Sequence, residues 1–486
     1  MESSMSSTKW IFMASILLVL INFLFFPKLF FIHIFVIFYL TVIYKKIASN
    51  TREYLYLSTI LLALTDSSMV FPIGSRYAIY YYYLLLFTYF LNVLYIIKKN
   101  DVSIKIKGKS KYFIFTSILL AYIVLSIIIA ADKKMAVKSI INYIIMISFI
   151  LMMIIENKNY EKLKKSFKFF TWVYTGIILL GLLEIFGIKY GARNHYLDLG
   201  LTVKEYPFLK HIPEVFFYNP NNYAVLLVLG MTAIFIKIIY IHGNENNWFY
   251  KILFLLSQIN LIFTTSRTAW ITIFIVYFVA FAFFIIRKEL KSANKTIKFA
   301  VVTLVIFVIF SFIPSMTPYY GKFNSTPILK KLNLYNIKKP REDNKAVANV
   351  GDPGSINERF TLIFDVVDGV ITNKHYLGFG AGNVGNYIKY KDNTFGILNI
   401  HSFWFEILGD FGIGIFLYII YIYLNLISDL VKKSNKGHQE LKQYSYMIAL
   451  GLVAFIFLAF GPSSVITFEP FWILMGMASA IVVNNY

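Results

Sequence analysis

Long apolar runs separated by short polar ones make up most of the chain. Roughly fourteen of them approach the ~20 residues that a helix needs to cross a bilayer. They are 10–26, 29–44, 54–73, 77–97, 112–131, 139–155, 169–188, 223–241, 249–265, 268–286, 299–316, 402–428, 445–461 and 469–485. The pairs within 10–44 and 249–286 nearly fuse. The N-terminus, MESSMSSTKW, enters its apolar run with no small-residue cleavage site behind it, so it reads as the approach to a first span. The pattern predicts an all-α fold, a polytopic membrane helix bundle of about 14 transmembrane helices. It divides into 1–316 with spans 1–11, 317–400 as a large extracellular loop, and 401–486 with spans 12–14.

Composition agrees with the pattern. Hydrophobic residues make up 58% of the 486 and charged residues 15%, with a mean hydropathy of +0.65. A chain with that surface needs the bilayer as its solvent. There are no cysteines, which removes disulfides, thiolate metal sites and cysteine nucleophiles. The net charge is +22, but the basic residues are scattered over loops. That suits anionic lipid and gives no support to nucleic acid as a partner.

Lysine and arginine set the expected orientation. KKNDVSIKIKGKSK after span 4 holds six basic residues, ENKNYEKLKKSFK after span 6 five, RKELKSANKTIK after span 10 five, and SDLVKKSNKGHQELKQ after span 12 four. All follow even-numbered spans, so they share a side. The positive-inside rule makes that side, and both termini, cytoplasmic.

Two segments on the other side are long: 189–222 and about 317–400. The first half of the second, NLYNIKKPREDNKAVANVGDPGS, is polar and rich in breakers. Its second half has helix signals. Ser355 and Glu358 form a capping-box pattern, and Ile356, Phe360, Ile363, Phe364, Val367 and Val370 fall on one helical face. A short amphipathic helix over about 356–371 is expected, on the membrane surface or across the bundle. The glycine-rich GFGAGNVGNY (378–387) follows no nucleotide-binding strand and precedes no lysine-bearing helix, so it is not a phosphate loop.

The same side collects the polar residues that could do chemistry. His401 opens span 12, with Glu406 and Asp410 farther in and four residues apart on one helix face. Arg267 lies in the turn between spans 9 and 10, Arg359 in the loop helix, Arg76 after span 3, and Asn221 and Asn222 head span 8. Singly, each has a plain reading: a turn arginine snorkels, Asn222 caps a helix, a lone histidine is structural. Together, two arginines on separate elements and a histidine under an ordered lid fit anion binding and proton transfer. Glu406 and Asp410 are costly in lipid and are expected to face the bundle interior. No acidic or histidine cluster has metal-ligand spacing, so neither a metal nor a cofactor is expected.

At these residues the chain resembles a family. His401-Ser-Phe-Trp-Phe-Glu406, followed by Asp410-Phe-Gly412-Ile-Gly414, resembles the signature of the O-antigen ligase and polymerase superfamily. FFYNPNNYA (216–224), TSRTAW (265–270), ERFTLIFDVV (358–367) and HYLGFGAGNVGNY (375–387) match further segments in the expected order. Tyr376 stands where the family usually has proline, and Thr268 where glycine is common. The resemblance covers about 216–414.

The resemblance implies a membrane glycosyltransferase. Such enzymes move a glycan from an undecaprenyl-diphosphate carrier to a glycan acceptor on the outer face of the cytoplasmic membrane. It implies His401 as base for the acceptor hydroxyl, and Arg267 and Arg359 as metal-independent ligands of the diphosphate. Glu406, Asp410, Asn221 and Arg76 then bind or orient substrate. Membrane lipids and other polysaccharide-assembly proteins are the remaining partners. A polymerase of surface polysaccharide is preferred to a ligase, on a composition typical of AT-rich bacterial genomes. The alternatives are a lipid-linked oligosaccharide flippase, which would show paired halves, and a peptidoglycan glycosyltransferase using Asp352 or Asp365.

Overall fold

The computed structural model describes the chain apart from residues 1, 66–67, 74–76, 101–109, 189, 191–202, 205, 218, 242–247, 325–349, 351–354, 392, 395, 436–438, 463 and 485. Arg76 and Asp352 therefore lie outside the described residues. Among those described, ten helical stretches are long and apolar enough to cross a membrane.

In chain order the helices are α1 (Glu2–Phe25), α2 (Phe30–Val42), α3 (Thr51–Ala63), α4 (Tyr81–Asn100), α5 (Ser110–Leu125), α6 (Lys133–Glu156), α7 (Tyr160–Ile185), α8 (Pro220–Tyr240), α9 (Trp248–Phe263), α10 (Arg267–Ile286), α11 (Leu290–Ser311), α12 (Thr317–Asn324), α13 (Ser355–Val367), α14 (Val384–Lys389), α15 (Phe403–Ser434), α16 (Gln439–Leu458) and α17 (Glu469–Val483). Each of the candidate runs overlaps a helix. Four of those helices, α3, α5, α9 and α17, have only 13, 16, 16 and 15 residues, whereas α2, itself 13 residues, is extended by helical turns at both ends to Pro27–Ile47.

The third run is the clearest departure. A helix was expected to continue to residue 73, but α3 stops at Ala63 and the chain then forms an antiparallel pair, β1 (Val70–Ile73) with β2 (Tyr77–Tyr80). The fold is thus not purely α. Apolarity predicted a span there, whereas Pro72 and Gly74 favour an extended turn-containing segment. At ~1.5 Å per residue α3 covers about 20 Å, well short of a bilayer core.

Asparagine and aspartate start several helices: Asn50 accepts from Glu53 N, Asp132 from Lys134 N and Met135 N, Asn159 from Lys162 N, and Asn219 from Asn221 N. The cap of α8 is therefore Asn219 and not Asn222. Inside the bundle several polar side chains are bonded to one another or to backbone, as lipid favours. Gln258 donates to Thr303 O at 2.9 Å, Tyr223 to Asn260 Oδ1 at 3.0 Å, and His33 Nε2 pairs with Asn22 Oδ1 at 2.7 Å.

The packing gives the molecule two chemically different ends. Helix α16 packs against α8, α10 and α15, and α17 lies along α6. The starts of α8, α10 and α15 share one end with the close of α16, since Phe403 N bonds Ala459 O and a Cβ on Gly461 would sit 4.0 Å from that of Asn221. The start of α7 and the start of α16 share the other, joined by Lys164 and Glu440 at 3.5 Å.

Candidate functional site

Helix α15 is broken where the sequence signature places its glycines. Gly412 has φ 74° and ψ −175°, so the helix splits into an upper piece and a longer lower one. The carbonyls released by the break are filled by the glycine-rich segment. Phe379 N donates to Gly409 O at 2.8 Å and Gly380 N to Asp410 O at 2.9 Å, while Ile413 N donates to Tyr376 O at 3.0 Å. Side chains cannot fit at this crossing: a Cβ on Gly412 would collide with the Tyr376 carbonyl, and one on Gly378 (φ +80°) with the backbone of Asp410. Irregular backbone at membrane depth is tolerated where it is enclosed by protein or lines a cavity.

Asp410 completes this junction. Its Oδ2 accepts from Gly382 N at 2.7 Å and its Oδ1 from Val384 N at 3.0 Å, at the start of α14. The side chain is fully buried. Asp410 was expected to bind or orient substrate; the structure uses both its oxygens to fix the glycine-rich segment. Glu406, half-buried one turn earlier, accepts from Ser464 Oγ at 2.9 Å.

The loop helix forms close to the expected place, as α13 followed by a π turn over Asp368–Thr372. Its buried face keeps Val370 of the expected stripe, with Val367 packed beside it, but otherwise shifts. Leu362, Val366 and Val370 are fully buried and pack with Val384, Ile388, Ile400 and Leu408, whereas Phe360 and Phe364 are exposed. Periodicity alone cannot separate two adjacent apolar stripes when both are long, and the contact with α15 chose the second. That contact carries Arg359. Because Ile400 belongs to the same cluster, it also holds the arginine-bearing helix beside the segment that ends in His401.

Arg267 is the first residue of α10 and half-buried. A cation at a helix N-terminus is opposed by the helix dipole, which favours anions there. Arg359 lies close enough to feel it: burial, and then the Arg267 charge, hold the Arg359 guanidinium below its usual range, with Glu358 partly offsetting them. Among the described residues Arg359 forms no salt bridge. Two arginines from separate elements thus come close enough for the Arg267 charge to disfavour that of Arg359. An anion of two or more charges would relieve both.

His401 has φ +54°, in the left-handed region, immediately before α15. It is one of five described non-glycine residues with positive φ, and four of these precede elements at this end. Val215 comes before α8, Thr265 before α10, Lys374 before the glycine-rich segment and His401 before α15. For β-branched Val215 and Thr265 this is a real steric cost, of the kind that accumulates at functional sites. Val215 is held there by Glu184, whose Oε2 accepts from Glu214 N at 2.7 Å and Val215 N at 2.9 Å. No residue-type signal marked these strained positions in the sequence. Asn221 is half-buried; its neighbour Asn222 has a buried Oδ1 without a hydrogen-bond partner among the described residues. Asp365 is buried and accepts from Asn393 at 3.3 Å, away from the arginines' salt-bridging reach.

Residues 252–422 match a protein-family model described as O-antigen ligase. That interval contains Arg267, Arg359, the glycine-rich segment, His401 and the break at Gly412. Over that interval the chain is similar to the O-antigen ligase family. It is similar to the teichuronic acid biosynthesis protein TuaE of Bacillus subtilis (strain 168), with 24% identity over 387 residues, covering 78% of this chain and 72% of the relative. No solved structure matches it. The apolar helices described above, the family match and the relative together support a multi-pass membrane protein of polysaccharide biosynthesis.

Proposed function

We propose that this protein polymerises undecaprenyl-diphosphate-linked oligosaccharide repeats into a surface polysaccharide on the outer face of the cytoplasmic membrane. The observation that carries the proposal is the meeting of Arg267 and Arg359, two like charges brought together from a helix start and a lid helix. A diphosphate is the anion that matches such a pair, and it is the leaving group of a lipid-linked sugar. His401 accepts the proton of the acceptor hydroxyl as the hydroxyl attacks the anomeric carbon. The carbon–oxygen bond to the diphosphate breaks, the arginines hold the departing charge, and the anomeric configuration inverts. The proton finishes on His401 and the electron pair on the lipid diphosphate.

Similarity to a protein named for teichuronic acid biosynthesis supports a polysaccharide product. The family description, O-antigen ligase, supports the second reading, transfer of a finished glycan to a different acceptor. The deciding experiment incubates the purified protein with a lipid-diphosphate oligosaccharide and no nucleotide. Products longer than one repeat are expected. Transfer only to an added acceptor would make it a ligase, and movement across vesicles without new bonds a flippase. The sidedness has its own test: reporters at Lys107 and Lys436 are expected to read cytoplasm and one at Asp343 outside.

A further inference from the structure

At the end of the bundle away from the arginines, a cavity of about 470 Å³ opens between α7, α8, α9, α16 and α17. It falls within the ~300–1,000 Å³ usual for ligand sites. Its walls include Phe170, Leu229, Ala233, Ile473 and Leu474, and its depth reaches Leu64 and Pro470. Its mouth is different. Lys164 and Lys168 from the first turns of α7 and Lys237 from the last turn of α8 stand around it, with the rings of Tyr250 and Tyr444 between them. Lys237 lies 6.0 Å from the Tyr250 ring centre and donates to Gln443 at 3.4 Å. Lys164 shares Glu440 at 3.5 Å, with both side chains about half exposed, a weak pair. Lys168 forms no ion pair among the described residues.

The cavity belongs to no step of the proposed transfer. Arg267 begins α10 beside the close of α9, whereas the cavity mouth is at the start of α9, about 20–25 Å away along that helix. A donor whose diphosphate meets Arg267 and Arg359 cannot also place that diphosphate among these lysines. An apolar slot under a ring of three cations is shaped for an amphiphile with a long hydrocarbon chain and an anionic head. Basic pockets between membrane helices hold lipid phosphates in this way.

We propose that this slot is a binding site for an anionic phospholipid of the leaflet opposite the arginines, one acyl chain lying between α7 and α8 and the phosphate seated among Lys164, Lys168 and Lys237. The lipid acts as a wedge: α7 and α8 are both tied to α9 and meet at Tyr174, whose hydroxyl donates to Leu227 O at 3.2 Å, and the slot is the space left beside that contact. With roughly fivefold in affinity from each lysine near an anionic head, the three together give selectivity on the order of a hundredfold over a zwitterionic lipid.

The test is native mass spectrometry of the full-length protein in detergent, with equal amounts of phosphatidylglycerol and phosphatidylcholine. Wild type is expected to retain phosphatidylglycerol at least about tenfold over phosphatidylcholine. A Lys164→Gln/Lys168→Gln/Lys237→Gln variant is expected to lose that preference. Ala233→Trp, which fills the slot and leaves the lysines, is expected to lose retained lipid of both kinds. Circular dichroism and elution volume check that both variants fold. Equal retention of the two lipids by wild type would overturn the proposal, as would undiminished preference in the lysine variant. Displacement of the phospholipid by undecaprenyl phosphate would also overturn it, because the slot would then belong to the donor's path. Retention is read without turnover, so failure of the transfer reading leaves this test standing.

Discussion

Glu156 receives Arg52 at 2.6 Å, Lys162 at 3.7 Å and the Tyr89 hydroxyl at 2.8 Å, and its side chain is 2% exposed. Nearby at the same end, Glu53 holds Lys165 at 2.6 Å and Asp429 holds Lys111 at 2.8 Å. At the opposite end Arg359, half-buried, has Arg267 and Glu358 as charged neighbours and forms no salt bridge among the described residues. At the lysine-rich end these buried carboxylates are each paired with a cation, because a buried carboxylate must be paired. The arginine end brings two like charges near each other and has strained backbone at Val215, Thr265 and His401. Charges of one type on one chain therefore divide by partner. Ion pairs join helices at one end, and at the other two arginines from separate elements lie close to each other.

The comparison can be broken most decisively at His401. His401→Ala is expected to lower transfer about 10²–10⁴-fold while donor binding persists. His401→Gln keeps a hydrogen-bonding amide but not a base. Near-normal polymer length from the glutamine variant would make His401 a positioning group held by its backbone strain.

Next comes the arginine pair. Arg359→Lys and Arg267→Lys preserve charge but lose the planar two-pronged contact, and each is expected to cost on the order of ten- to a hundredfold in transfer, by analogy with charge-assisted bonds worth about 1.5–3 kcal/mol. Donor-binding and turnover measurements on each variant check this. Normal kinetics in both would reduce these residues to headgroup anchors.

A smaller effect is expected from the scaffold beneath them. Gly412→Ala combines a forbidden φ with a collision at the Tyr376 carbonyl, and such positions cost about 1–3 kcal/mol. A lowered thermal midpoint is expected, with transfer reduced because the glycine-rich segment shifts. An unshifted midpoint would mean that the break in α15 is not held as described.

The smallest effect on transfer is expected at the other end. Arg52→Ala leaves Glu156 with Lys162 and Tyr89, so about 1–3 kcal/mol of stability is lost and the turnover of the folded protein stays unchanged. A large loss of turnover at full folding would join the two ends functionally and remove the distinction between them.

Much of this was readable along the chain. Apolar runs of bilayer length predicted the helices, since in lipid a spanning segment must satisfy its own backbone. The turn bearing Arg267 and the loop helix bearing Arg359 formed where the motifs lay. Three features were legible only in three dimensions. The α13 stripe that is buried depended on which neighbour it met. Asp410 looked like a substrate ligand because a carboxylate in a span is costly, but two backbone amides twenty-six and twenty-eight residues away already satisfy it. The hairpin after α3 competed with a helix of similar apolarity, and pattern alone could not choose between them. Sequence by itself determined which groups this protein has available and on which side of each helix break they fall, because hydrophobic length and local turn chemistry are properties of neighbouring residues. Tertiary structure decided which of those groups are already bonded and which face one another. That depends on contacts between residues tens to hundreds of positions apart, and in a medium without water every such contact either satisfies a polar group or leaves it for a ligand.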